Sequence, residues 1–207
     1  MRFLLLFWTF LLSLMPHAAM AIEEPKFEML EQSASFELRQ YHPLIVAEVL
    51  VEGDLDEASS KGFRLIADYI FGNNRAPTGA NEKIAMTAPV TVEPMDNKIA
   101  MTAPVTFQPK SGKWQVRFVM PSQYTLSSLP APNNIQVKLR EVPGRKVAVI
   151  TFSGLAGESK TAKKTEELLS WIATKQLKPV GTPELARYNP PWTLPFLRRN
   201  EVMVEYE

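Results

Sequence analysis

The stretch FELRQYHPLIVAEVLVEG at residues 36–53 returns in diverged form as VKLREVPGRKVAVITFSG at 137–154. Leu38 matches Leu139, Arg39 matches Arg140, Ala47 matches Ala148 and Gly53 matches Gly154. In the first copy two β-rich runs flank a turn at His42-Pro43, and a helical pattern follows each copy. A chain that writes one unit twice, with a period of roughly 100 residues, holds two sheets that neither unit buries alone. Pairing them predicts an α+β fold, an antiparallel curved sheet or barrel flanked by two helices, with repeats over about 35–120 and 135–206.

The helices are legible from caps and spacing. Asp54 is placed as an N-cap, with Glu57 three residues on. Leu55, Ala58, Gly62, Leu65, Ile66 and Tyr69 then recur at helical intervals, and Gly72-Asn73 is a stop, which predicts a helix over 55–71. Ala162, Thr165, Leu169, Ile172 and Ala173 predict a second over 158–175. Strands are expected at 184–188 and 200–206.

A second and closer repetition lies between the units. KIAMTAPVT occurs at 83–91 and again at 98–106. Ile84, Met86, Ala88 and Val90 alternate with Ala85, Thr87, Pro89 and Thr91, the period of a half-buried strand. The second copy is followed by Pro109-Lys110-Ser111-Gly112 and the alternating run KWQVRFVM, which predicts a hairpin of 98–108 with 113–120. Two neighbouring strands of one sheet are expected from the duplication, with Met86 facing Ala103 and Ala88 facing Met101.

Residues 1–21 read as a secretory leader. Arg2 is a short basic start, Phe3 to Leu14 is apolar, and Ala19-Met20-Ala21 is a small-x-small cleavage site. The alternative is an uncleaved anchor, but the apolar run falls short of the ~20 residues of a bilayer span, and Pro16 and His17 break it. Cleavage after Ala21 is expected, with residues 22–207 exported to the periplasm as one domain without a membrane span. That product has 22 basic and 22 acidic residues. A neutral chain without charge runs lacks the electrostatic footprint of a nucleic-acid binder. The absence of Cys excludes disulfides and thiolate metal sites.

The segments FELRQY, VAEVLVEGDLDEASSKGFRLIADYIFG, KIAMTAPVT, WQVRFVMPSQY, VKLRE, RYNPPW and RRNEV, in this order, resemble the SOUL haem-binding family. The resemblance runs from about Phe27 to the C-terminus. It implies a distorted antiparallel β-barrel of two pseudo-repeated β-α-β units with two flanking helices, and reversible, non-covalent binding of haem or another tetrapyrrole. Some members of that family carry a His, a proposed axial ligand, at the position held here by Gln40.

A tetrapyrrole needs apolar walls, cations for its propionates and, optionally, an axial ligand. His42 is the one histidine after residue 21, and is the candidate iron ligand; its alternative is an exposed turn residue. Met86 and Met101 are more readily core residues than ligands. Phe63 on the first helix is a candidate wall, with Lys61 and Arg64 as propionate partners; a solvated basic edge is the alternative. Trp192, in the run Tyr188-Asn189-Pro190-Pro191-Trp192, stands at a loop tip as a ligand cover or a packing plug.

No Cys–His pair, no G-x-S-x-G elbow, no P-loop and no G-x-G-x-x-G is present, so no catalytic activity is expected. Two classes of function remain: an exported haem carrier or scavenger, and an exported interaction module that holds another apolar ligand or a partner protein.

Overall fold

A computed structural model describes residues 22–95 and 112–207. The expected leader and the second KIAMTAPVT copy, with its hairpin and its Met101, lie outside the described residues. Among the described residues, eleven strands and two helices follow in chain order. The strands before and around the first helix are β1 Phe27–Ser33, β2 Phe36–Tyr41 and β3 Leu44–Glu52, then α1 Leu55–Ile70 and the short β4 Asn74–Arg75. Next come β5 Val90–Pro94, β6 Lys113–Val119, β7 Ala131–Pro132, β8 Lys138–Val142 and β9 Arg145–Ser153. Helix α2 Glu158–Thr174, β10 Pro179–Arg187, a 3-10 turn at Pro195–Leu197 and β11 Arg199–Tyr206 complete the chain.

Nine strands form one antiparallel sheet in the order β1-β2-β9-β11-β10-β5-β6-β3-β8, while β4 and β7 pair separately. The two stretches that align in sequence pair crosswise. Strand β2 lies against β9, with Phe36 opposite Ile150 and Tyr41 opposite Arg145. Strand β3 lies against β8, with Leu44 opposite Val142. Consecutive strands β2 and β3 thus stand near opposite ends of the sheet order, yet only His42 and Pro43 join them, a reach of roughly 10 Å from Tyr41 to Leu44. Only a strongly curled sheet satisfies both conditions. The links 42–43 and 143–144 pass in contact: a Cβ on Gly144 would lie 2.9 Å from the Tyr41 carbonyl oxygen, closer than any side chain tolerates.

The expected barrel does not close. Both edges of β2 are taken by β1 and β9, and both edges of β3 by β6 and β8, so the strands that the curl brings together have no free edge to share. Among the described residues, strands β1 and β8 are the edges of the sheet.

Both helices cover one face of the sheet. Asp54 caps α1, its carboxylate accepting from the amides of Asp56 at 2.9 Å and Glu57 at 2.8 Å. Helix α1 seats Leu55, Ala58, Ile66, Tyr69 and Ile70 on β3 and β6, around Trp114, Val116 and Phe118. Helix α2 buries Thr161, Thr165, Leu168 and Ile172, a stripe rotated from the expected one, which leaves Ala162 and Leu169 half-buried.

The first KIAMTAPVT copy departs from the continuous strand expected of it. Residues 83–89 are irregular, and the strand begins only at Val90. Ile84, Thr87, Ala88 and Pro89 are nevertheless buried, because the segment closes the end of α1 against the sheet: the Ile84 amide donates to the Ile70 carbonyl, and the Thr87 hydroxyl to the Val119 carbonyl. From Val90 the chain enters the sheet between β10 and β6, Val90 facing Phe118 and Pro94 facing Trp114. The strand beside 113–119 that sequence assigns to the second copy is therefore supplied by the first.

Candidate binding grooves and the family of the chain

Strand β3 outlasts its neighbour. The β8 pairing ends at Glu48 opposite Lys138, so Leu50, Val51 and Glu52 run on without an outer partner among the described residues. Helix α1 passes over this exposed corner and presents Lys61, Arg64, Leu65 and Asp68 at i, i+3, i+4 and i+7, one face of the helix. Together with Lys113 and Gln136 they line a groove of about 700 Å³. Its apolar floor includes Leu50, which shares the solvent face of β3 with Glu48 and Glu52 and is 52 % exposed.

Three cations face two carboxylates in this groove. Lys61 donates to the Glu52 carbonyl at 3.1 Å and stands 3.6 Å from the Glu57 carboxylate. Lys113 reaches Glu52 at 3.9 Å. Arg64 has no ion-pair partner among the described residues, leaving an uncommitted guanidinium at the rim. Phe63 projects from another flank of α1, where its ring tilts against Phe118 at 5.4 Å between centroids, and it does not line the groove.

His42 lies at the other end of β3. It is exposed in the link between β2 and β3, its backbone amide donating to the Lys26 carbonyl at 3.3 Å. The groove it lines, about 630 Å³, has walls of Leu44, Ile45, Val119, Met120 and Val142. Glu23, Glu24 and Glu141 rim it against a single lysine, Lys26. On β3 the facing ends of the two grooves, Ile45 and Leu50, stand five residue steps apart, roughly 16 Å at 3.3 Å per residue. Of the four residues singled out in sequence, the fold brings Lys61 and Arg64 together and sets Phe63 and His42 apart from them.

The sheet face away from the helices carries a buried ionic network that sequence reasoning missed. Glu201, fully buried, accepts from Arg39 at 2.9 and 3.0 Å, from Tyr188 at 2.6 Å and from Arg199 at 2.8 Å. Burial alone would raise the Glu201 carboxyl, but the Arg39 bonds, with those of Tyr188 and Arg199, hold it below its ordinary range. Across the sheet, Arg117 pairs with Glu93 and lies 3.5 Å from Glu48 and 3.4 Å from Glu184, which Arg145 meets at 2.7 Å. Burial, reinforced by the Glu184 charge, pushes Glu93 up to about 7. The signal in sequence is the alternation itself, since Glu37, Arg39 and Tyr41, or Arg199, Glu201 and Met203, fall on one face of their strands. Among the described residues no group of three or more His, Asp or Glu side chains is placed to hold a metal ion.

Comparison with solved structures finds the same fold at low identity. The C-terminal domain of EcmrR superposes with a TM-score of 0.60 at 13 % identity, over 86 % of this chain and 99 % of that one. An uncharacterized conserved protein from Listeria innocua gives 0.61 at 13 % identity, over 84 % and 92 % of the two chains. A hydrolase from the same organism gives 0.55 at 12 %, over 86 % and 94 %. These likenesses speak to fold alone. No curated protein matches in sequence. The model of the SOUL heme-binding protein family, however, matches residues 22–205, and the chain belongs to that family.

Proposed function

We propose that this chain binds haem or a related tetrapyrrole reversibly and non-covalently, as an exported carrier or scavenger, and that the α1–β3 groove is the seat. The family supports the ligand class. The observation that carries the choice of groove is charge: a tetrapyrrole brings an apolar disc and two propionates, and the α1–β3 groove offers more cations than carboxylates over an apolar floor. The His42 groove, with three carboxylates against one lysine, repels the same dianion.

The roles follow residue by residue. Leu50 and Leu65 cover the disc, and Arg64 and Lys61 take the propionates; a guanidinium suits a carboxylate through paired N–H bonds. The residues lining this groove include no imidazole, thioether or phenol, so the iron gains no axial bond there and affinity rests on burial and charge. A few hundred Å² of apolar contact at roughly 25 cal/mol per Å², less association costs, supports micromolar binding. The test is a Soret titration with hemin. Lys61→Ala with Arg64→Ala is expected to weaken binding by about tenfold or more, equal to about 1.4 kcal/mol, and His42→Ala by less than that. Unchanged affinity in the double variant would place the ligand elsewhere.

A further inference from the structure

The loop that enters β11 exposes apolar side chains where soluble domains keep polar ones. Trp192, at 82 % exposure, is joined by Leu194, Phe196 and Leu197, and Leu155 stands beside them; each is more than half exposed. Isolated exposed leucines need no explanation, but a contiguous apolar patch of this kind marks a contact surface. The loop is also built to hold its shape. Arg198 donates from Nε to the Thr193 carbonyl at 2.8 Å and from its terminal nitrogen to the Pro191 carbonyl. Thr193 N–H bonds to Pro190, Leu197 N–H to Leu194, and both Gly154 N–H and Arg198 N–H to Pro195. Asn189 caps the Arg199 amide at 2.7 Å.

We propose that this loop is a docking surface for an anionic phospholipid bilayer, with Trp192, Phe196 and the leucines entering the interfacial layer. Two observations favour a bilayer over a protein. First, the backbone is partly prepared for an apolar medium: Pro190, Pro191 and Pro195 have no N–H to strand, and the carbonyls of Pro190, Pro191, Thr193, Leu194 and Pro195 each accept an internal bond, while the Trp192, Leu194 and Phe196 amides are left to the hydrated headgroup layer. Leaving such groups unpaired in lipid costs several kcal/mol apiece. Second, the charge leans positive. Between Asn189 and Asn200 the charged residues are Arg198 and Arg199, of which Arg199 is already paired with Glu24 and Glu201. Just beyond Leu155 the first turns of α2 add Lys160 and Lys163, while Glu158 turns towards the Leu55 amide at 3.4 Å. Aromatic and leucine side chains flanked by cations are the composition of interfacial anchors. No described helix is long and apolar enough to cross a membrane.

The test uses the full chain with vesicles of phosphatidylglycerol and phosphatidylethanolamine, beside vesicles of phosphatidylcholine alone. The chain should co-sediment with the anionic vesicles, and brominated lipids should quench a tryptophan component that Trp192→Phe removes. Trp192→Ser with Phe196→Ser should lower the partition coefficient at least tenfold, and Lys163→Ala should lower it on anionic vesicles only. All three positions are exposed, so these variants keep the fold, which circular dichroism checks. Unchanged partition of the double variant, or quenching that survives Trp192→Phe, overturns the proposal. So does sedimentation velocity showing that the same loop holds a dimer without any vesicle binding, which would make the patch a contact between copies of this chain.

Discussion

Single residues on the helix-free sheet face decide how stability responds to pH. Glu201 is held below its ordinary range by Arg39, Tyr188 and Arg199 against the cost of burial, so the stability it supplies is present above the unfolded carboxylate range and is lost only as pH falls through its lowered value. Glu201→Gln leaves the buried Arg39 with the partly exposed Glu37, at 2.6 Å, as its remaining carboxylate partner, and should cost up to about 3–5 kcal/mol in urea unfolding at pH 7. Glu93 runs the other way. Its carboxyl is raised to about 7 by burial and by Glu184, so the folded state holds a proton that the unfolded chain has released, and stability falls as pH rises from the ordinary carboxylate range through 7. Glu93→Gln should flatten that decline in melting temperature between pH 5 and pH 8; a decline as steep as in the parent would show that other groups set it. The second copy of the repeat already carries Gln108 at the matching position.

At the scale of elements, glycine at 62 reverses the usual expectation for a helix interior. Exchange for alanine gains about 1 kcal/mol in an isolated helix. Here a Cβ would fall 2.5 Å from the Val116 side chain, so α1 would have to lift from β6, and overpacking costs about 1–3 kcal/mol. Gly62→Ala should therefore lower the urea midpoint, and a raised midpoint would contradict the close approach. The sequence carried α1, its Asp54 cap and the strand pairs around 42–43 and 143–144 plainly, because caps and periods are local. It did not carry the pairing partners. Val90 to Pro94 and the second copy present nearly the same alternation, and which of them lies beside Trp114 to Val119 is settled by long-range packing that no local period encodes. The site was half legible for the same reason: Lys61 and Arg64 share a helix face, but their distance from His42 depends on β3 running between them. Leu50 was hidden as an ordinary strand residue, although an apolar side chain between Glu48 and Glu52 on one face was the available signal.

At the scale of the molecule, crosswise pairing of β2 with β9 and β3 with β8 makes the two halves interdependent. A fragment ending near residue 134 leaves β2 and β3 without those partners and should stay largely unfolded by circular dichroism; a cooperative melt from the fragment would contradict the interlock. The curl that these pairings impose leaves the corner of β3 open beneath α1, the groove proposed here to seat the tetrapyrrole. In that proposal burial and propionate contacts, with no iron–imidazole bond, hold the ligand. The most direct test compares hemin with metal-free protoporphyrin on the same protein by absorbance and tryptophan quenching. The two dissociation constants should agree within about tenfold, or 1.4 kcal/mol. Failure of the metal-free porphyrin to bind, together with loss of the hemin Soret shift in His42→Ala, would contradict the account and make the iron–imidazole bond the source of affinity.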